Sequence, residues 1–272
     1  MPRFAEVFKN SGVDEPEQWM MVPEEDFNVV NLVDGAHLTL NFDKARLKVE
    51  EFKGPRPALR TFRITGKAYG YTVIKAKNHR GKTEATLGVS VKRKLLLPTA
   101  FHLVKHADAA KKISTTVTNS QLDDIVARAN GILVPQANVD ISKESARWLK
   151  VNLETVQYSP FTGGTMKSNW EELVKNRDPH TAVNVFFVHT LKTQMEKAPP
   201  RDSQGLTVGY NIAVSDTGHG NTQLFGRTLA HEVLHWLGLD AATYHFTGPK
   251  DSIMQDAAGE RLIKAYVEVA NP

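Results

Sequence analysis

The feature that most narrows the fold is a change of hydrophobic period near residue 95. From Phe27 to Lys94 the chain runs as short alternating segments: FNVVNLV, HLTLNF, ARLKVEE, LRTFRI, GYTVIKA and EATLGVSV. Successive side chains on a strand point to opposite faces, so alternation of this kind gives one apolar face and one polar face. Asp34-Gly35, Gly54-Pro55 and the His79–Gly81 turn separate several of the segments. About six short strands divided by turn residues predict a small all-β sandwich. Residues 1–26 read as a polar lead-in with room for a short helix. The expected module therefore occupies residues 1–95.

Beyond Leu95 the pattern becomes mixed. Leu122, Ile125, Val126, Ala129, Ile132 and Leu133 recur at helical spacing, so a helix is expected over Ser120–Val134, capped by Asn119 or Ser120. Strands are expected at Val139–Val151, Ala182–Leu191 and Leu206–Ser215, and a short helix at Asn169–Lys175. Lys197–Gly205 reads as a loop. A helix over Thr222–Leu237 should end at Gly238, and a last helix should cover Gly259–Val269. Strands and helices in this order predict an α+β domain over residues 96–272.

The helix before Gly238 contains His231, Glu232, Val233, Leu234 and His235. Residues four apart lie one turn apart on one helix face, so both imidazoles can reach a single tetrahedral Zn²⁺ at about 2.0–2.1 Å. Glu232, between them, projects beside the ion. It can take a proton from the attacking water and hand it to the leaving amine. Leu229, Val233 and Trp236-Leu237 supply an apolar face to bury the helix. A catalytic zinc needs a third protein ligand and an open position. The chain has no cysteine, so that ligand must be His, Asp or Glu.

This stretch resembles the metzincin clan of zinc metallopeptidases, whose pattern is H-E-x-x-H-x-x-G-x-x-H followed by a methionine turn. His231, Glu232, His235 and Gly238 match it, whereas the third histidine position holds Ala241. His245 stands four places later, and His245–Met254 (HFTGPKDSIM) resembles the clan's stretch from third histidine to turn methionine. Asp240 stands one place early. Glu260, on the expected last helix, would give an arrangement similar to the gluzincins. The third ligand is thus His245, Asp240 or Glu260. The resemblance implies a zincin-like catalytic domain with a twisted mixed sheet, a backing helix and an active-site helix. It also implies a zinc cofactor, peptide-bond hydrolysis, and Met254 as an apolar floor beneath the metal. Tyr210 and Tyr244 are candidate substrate or oxyanion contacts, with packing roles as the alternative. Ile125–Val139 is similar to the clan's first helix and following strand. Gly205–Ser215 falls where the clan places its substrate-binding edge strand. The segment Tyr71–Val91 resembles the closing hairpin of bacterial immunoglobulin-like modules.

Charge and leader features bound the remaining readings. Residues 1–95 hold 17 basic and 12 acidic residues, and nine of those basic residues lie in Arg63–Lys94 beside one acid, Glu84. Such a stretch is either a solvated strand face or a surface for nucleic acid. The apolar runs are too short to span a bilayer, and Met1–Met20 lacks the basic-then-apolar order of a signal peptide. A metallopeptidase without a leader suits an effector or toxin exported by a dedicated machine. The competing readings are an inactive binding module and a nucleic-acid-binding protein. No Gly-rich phosphate loop and no G-x-S-x-G occurs.

Overall fold

The structure is a computed structural model that describes residues 2–5, 8–9, 18–52, 59–160, 165–194, 198–239, 252–254, 262, 267 and 269–272. The chain divides into two compact units. One comprises residues 1–95, 133–139 and 239–272, and the other residues 96–132 and 140–238.

The first unit is built from β1 (Arg3–Ala5), β2 (Phe8–Lys9), β3 (Gln18–Pro23), β4 (Phe27–Val33), β5 (Thr39–Asn41), β6 (Leu47–Phe52), β7 (Arg60–Gly66), β8 (Gly70–Lys77) and β9 (Thr83–Lys92). They form two sheets, in the orders β1-β4-β7-β6 and β2-β3-β9-β8-β5. Alternation sets what each face holds. On β4, Val30 and Leu32 turn into the core while Phe27 and Val29 stay exposed. On β7, Phe62 and Ile64 turn inward and Arg63 outward. On β8, Ile74 and Ala76 are buried between the outward Lys75 and Lys77. Met20, Val22, Leu87, Val89 and Val91 close the same core. The β8–β9 turn is held by Asn78, whose Oδ1 accepts the Arg80 and Lys82 N–H groups at 2.9 and 3.1 Å. Gly81 takes φ +80°, a conformation glycine adopts without steric cost. The expected short helix within residues 1–26 is not found among the described residues. Gln18–Pro23 is instead a strand with Trp19–Val22 buried, and it pairs in parallel with β9.

The second unit takes β10 (Leu95–His106), α1 (Asn119–Ala137), β11 (Val139–Val151), β12 (Val156–Tyr158), α2 (Trp170–Val174), β13 (Val183–Val188), β14 (Leu191–Thr193), β15 (Arg201–Asp202), β16 (Gly205–Val208), β17 (Asn211–Ser215) and α3 (Thr222–Trp236), apart from the few residues assigned above to the first. Its larger sheet has the order β11-β10-β13-β17-β16. β10, β13 and β17 run parallel, and β16 closes one edge antiparallel to β17. β13 is wholly buried and, apart from Asn184, apolar on both faces, as suits a central parallel strand. A second sheet, β12-β14-β15, packs with Trp170 and Leu173 of α2.

The expected α+β, zincin-like class is overturned. The chain is mainly β, with seventeen strands against three α-helices among the described residues. β10 is a twelve-residue strand in a segment where the sequence pattern predicts none, whereas β11 is the strand expected at Val139–Val151. The expected strand at Leu206–Ser215 is two strands, because Gly209 at φ +58° turns the chain back on itself. Most of the expected helix at Gly259–Val269 lies outside the described residues. Among the described residues, no helix is long and apolar enough to cross a membrane.

A buried histidine in the larger sheet makes stability depend on pH. His102, fully buried on β10, stacks on Phe186 at 4.5 Å. Its Nε2 lies 2.9 Å from Asn184 Oδ1, and its Nδ1 accepts from Arg147 Nε at 3.2 Å. That pattern suits the neutral ring with its proton on Nε2. Burial is the main cause that pushes the His102 pKa below its ordinary value, and the Arg147 charge adds to it, against the Asn184 bond and Asp178. A depressed folded pKa gives stability that is complete above about pH 6.5, the unfolded value, and drains as pH falls toward the folded one. The expected slope is about 1.4 kcal/mol per pH unit in that window. Denaturant titrations between pH 7 and 5 should show it in the native chain and a flatter response in His102→Gln. Identical slopes in the two would remove His102 as the source.

Candidate metal centre

Helix α3 starts and stops on local chemistry. Asn221 caps it, with Oδ1 accepting the Leu224 N–H at 3.1 Å. Gly238, at φ +105°, ends it by donating its N–H to the His235 carbonyl at 3.0 Å. Phe225, Leu229, Val233 and Leu234 bury one face. That burial fixes the rotation of the helix about its axis, and so the direction in which His231, Glu232 and His235 point. The His219 side chain braces the first turns. It stacks on Phe225 at 4.5 Å and hydrogen-bonds Thr228 Oγ1 through Nε2 at 2.7 Å.

The two imidazoles converge. His231 Nε2 and His235 Nε2 lie 3.0 Å apart, and their rings meet nearly edge-on, with centroids at 4.7 Å. Two ligands of one tetrahedral zinc at about 2.0–2.1 Å stand about 3.3 Å apart, so the pair fits such an ion after a few tenths of an ångström of opening. One ligand atom each from His231, Glu232 and His235 falls within 4.8 Å of the others. Both histidines are half-buried, whereas Glu232 is 5% exposed. Burial is the main cause that raises the Glu232 pKa above the usual carboxylate value, against the pull of His235 and the Thr207 hydrogen bond.

The wall opposite Glu232 is β16. Thr207 Oγ1 donates toward Glu232 Oε2 at 2.7 Å and toward the Glu232 carbonyl oxygen at 2.9 Å. A Cβ on Gly205 would stand 2.3 Å from Glu232 Oε1. Neither residue stood out in the sequence. Their signal is only a glycine and a threonine two apart on a strand, and it becomes readable once β16 is known to face α3.

The other expected site residues fare differently. Asp240, Tyr244, His245 and Glu260 lie outside the described residues. Met254 is fully buried, and its N–H donates to Ser252 Oγ at 3.3 Å. Tyr210 is 65% exposed at the β16–β17 turn, so it is not a packing tyrosine. The basic stretch Arg63–Lys94 is partly engaged within the β unit. Lys92 is buried, Arg93 bonds Glu24 at 2.8 Å, and the Arg63 guanidinium stacks over Phe27 at 4.4 Å.

No family model matches this chain, and no curated protein does. Some solved structures are similar to parts of it. Domains 4 and 5 of the S-layer protein SbsC align at 18% identity and a TM-score of 0.21, over 26% of this chain and 45% of that one. The fibronectin(III)-like modules of Clostridium thermocellum CbhA align at 10% identity and 0.20, over 34% of this chain and 98% of that one. The titin A168169 structure aligns at 15% identity and 0.21, over 38% of this chain and 58% of that one. The chain thus spans less than half of the S-layer structure. Scores this low carry no argument about either unit.

Proposed function

We propose that the chain is a zinc-dependent endopeptidase with Glu232 as its general base. The observation behind this is the convergence of the His231 and His235 Nε2 atoms at 3.0 Å with a buried carboxylate beside them. His231 and His235 would hold the ion, and His245 is the third ligand that the metzincin-like motif implies. When bound, zinc supplies Lewis-acid polarisation of the scissile carbonyl and stabilises its developing negative charge. Glu232 accepts a proton from the attacking water at its carboxylate and returns it to the leaving nitrogen as the C–N bond breaks. The outer edge of β16 has no strand partner among the described residues, so its main-chain groups suit an extended peptide.

Metal removal tests the reading. Purified protein should carry about one zinc per chain by elemental analysis. Chelation should abolish cleavage of a generic peptide library, and one equivalent of zinc should restore it. His231→Ala and His235→Ala should each lose both zinc and cleavage. Cleavage that persists at full rate in metal-free protein would end the proposal.

A further inference from the structure

We infer that Thr207 is a positioning residue: its hydroxyl clamps Glu232 as a base and keeps the carboxylate from becoming a metal ligand. The inference rests on the proposed metal-dependent function.

One hydroxyl lies beside two oxygens of the same residue, the side-chain Oε2 at 2.7 Å and the main-chain oxygen at 2.9 Å, and its single proton is shared between them with the shorter contact to Oε2. That contact holds the Glu232 carboxylate on the β16 side of α3. The Thr207 Cβ is branched, which restricts χ1 and so points the hydroxyl at a fixed place. Gly205 and Thr207 are two apart on β16 and therefore share the face turned toward Glu232. Gly205 lets the strand lie flush on the carboxylate. An added Cβ would meet Oε1 at 2.3 Å and Cδ and Cγ at 2.7 Å, with no room for both. The carboxylate is thus held from two directions by one strand.

The clamp matters because of what else lies near. A ligand oxygen of Glu232 and the two imidazole nitrogens fall within 4.8 Å of one another. A carboxylate freed from Thr207 would have a cation held by His231 and His235 within easy reach, and carboxylates are good zinc ligands. Bound to the ion, it would fill the open position that catalysis needs and would no longer accept a proton from water. A restraint on Glu232 separates the two roles.

The test compares Thr207→Val, which removes the hydroxyl and keeps the shape, with Thr207→Ser, which keeps the hydroxyl. Each is prepared with zinc for kinetics and with Co²⁺ for visible spectroscopy. Thr207→Val is expected to lose about 10–100-fold in kcat with KM nearly unchanged, the scale seen when a partner that orients a metal-site residue is removed. Its Co²⁺ spectrum should differ from the native one, with bands shifted as a carboxylate oxygen takes the place of solvent on a still four-coordinate ion. Thr207→Ser should restore both. Gly205→Ala leaves the hydroxyl in place while displacing Oε1, so it should also lower kcat, and it serves if Thr207→Val does not fold. Wild-type kcat and spectrum in Thr207→Val would overturn the clamp while leaving a Glu232-dependent peptidase standing. A zinc-loaded native protein with no Glu232-dependent cleavage would instead sink the parent reading and the clamp with it.

Discussion

Replacing Glu232 by Gln is expected to lower peptide turnover by about 10²–10⁴-fold while zinc content stays at the native level. The substitution keeps the size and shape of the side chain. The amide oxygen can still accept the Thr207 hydroxyl hydrogen bond now made at 2.7 Å. What disappears is the proton acceptor. His231 and His235 are untouched, so metal retention should hold. The site also makes a second demand on this variant. Glu232 is buried, and burial works against its charged form. A neutral amide escapes that penalty, so Glu232→Gln should be no less stable than the native chain in metal-free buffer. The combined result, lost turnover with kept zinc and kept stability, separates a missing base from a damaged fold. Elemental analysis, steady-state kinetics and thermal denaturation on one preparation read all three. Native turnover in the zinc-loaded variant would rule out Glu232 as the base.

The parts of this molecule that could be read in the sequence are the parts carried by short-range order. His231, Glu232 and His235 lie within five residues of one helix, and helix geometry alone brings them together. Asn221 and Gly238 mark the ends of that helix through capping chemistry, which acts within a few residues. The alternation on β7 and β8 likewise separates inward from outward positions, with Arg63 and Lys75 outside and Phe62 and Ile74 inside. Features that depend on distant neighbours were hidden. Trp19 to Val22 are four consecutive buried residues, so they lack the period-2 signature, and their strand is defined only by pairing with β9. β10 is buried along most of its length beside β13, and a strand covered on both faces has no alternation to detect. The three helices expected between Ser120 and Leu237 are all present, so it is strand, not helix, that the sequence pattern under-reports. The Thr207–Glu232 contact joins residues 25 apart through a strand that sequence reasoning had fused with its neighbour.

Substituting Gly226 by Val is expected to destabilise the second unit by about 3 kcal/mol and to weaken zinc retention with it. Gly226 lies on α3, five residues before His231, against α1. A Cβ there would stand 2.6 Å from the Arg128 Cβ, 2.7 Å from its Cγ and 2.8 Å from the Ile125 carbonyl oxygen. Rotating the Arg128 side chain can move its Cγ but not its Cβ, and the Ile125 oxygen is main chain inside a helix, so α3 must move instead. Intrinsic propensity pulls the other way, because leaving Gly for a better helix former gains up to about 1 kcal/mol. That gain is largest for Ala, whose single methyl still meets the 2.8 Å contact, so Gly226→Ala should be mildly destabilising. Val adds two methyl groups and a stiff χ1, and its overpacking cost of about 1–3 kcal/mol or more exceeds any propensity gain. In a chain of this size each kcal/mol lowers Tm by roughly 2–4 °C. Displacing α3 also moves the His231–His235 pair relative to β16, so the loss should appear in metal affinity as well as in Tm. Calorimetry with and without zinc distinguishes these effects, because a ligand that binds only the folded state raises Tm according to its affinity. The zinc-induced rise should shrink from native to Ala to Val. An undiminished rise in the Val variant would mean that the close approach of α1 and α3 does not set the geometry of the metal pair.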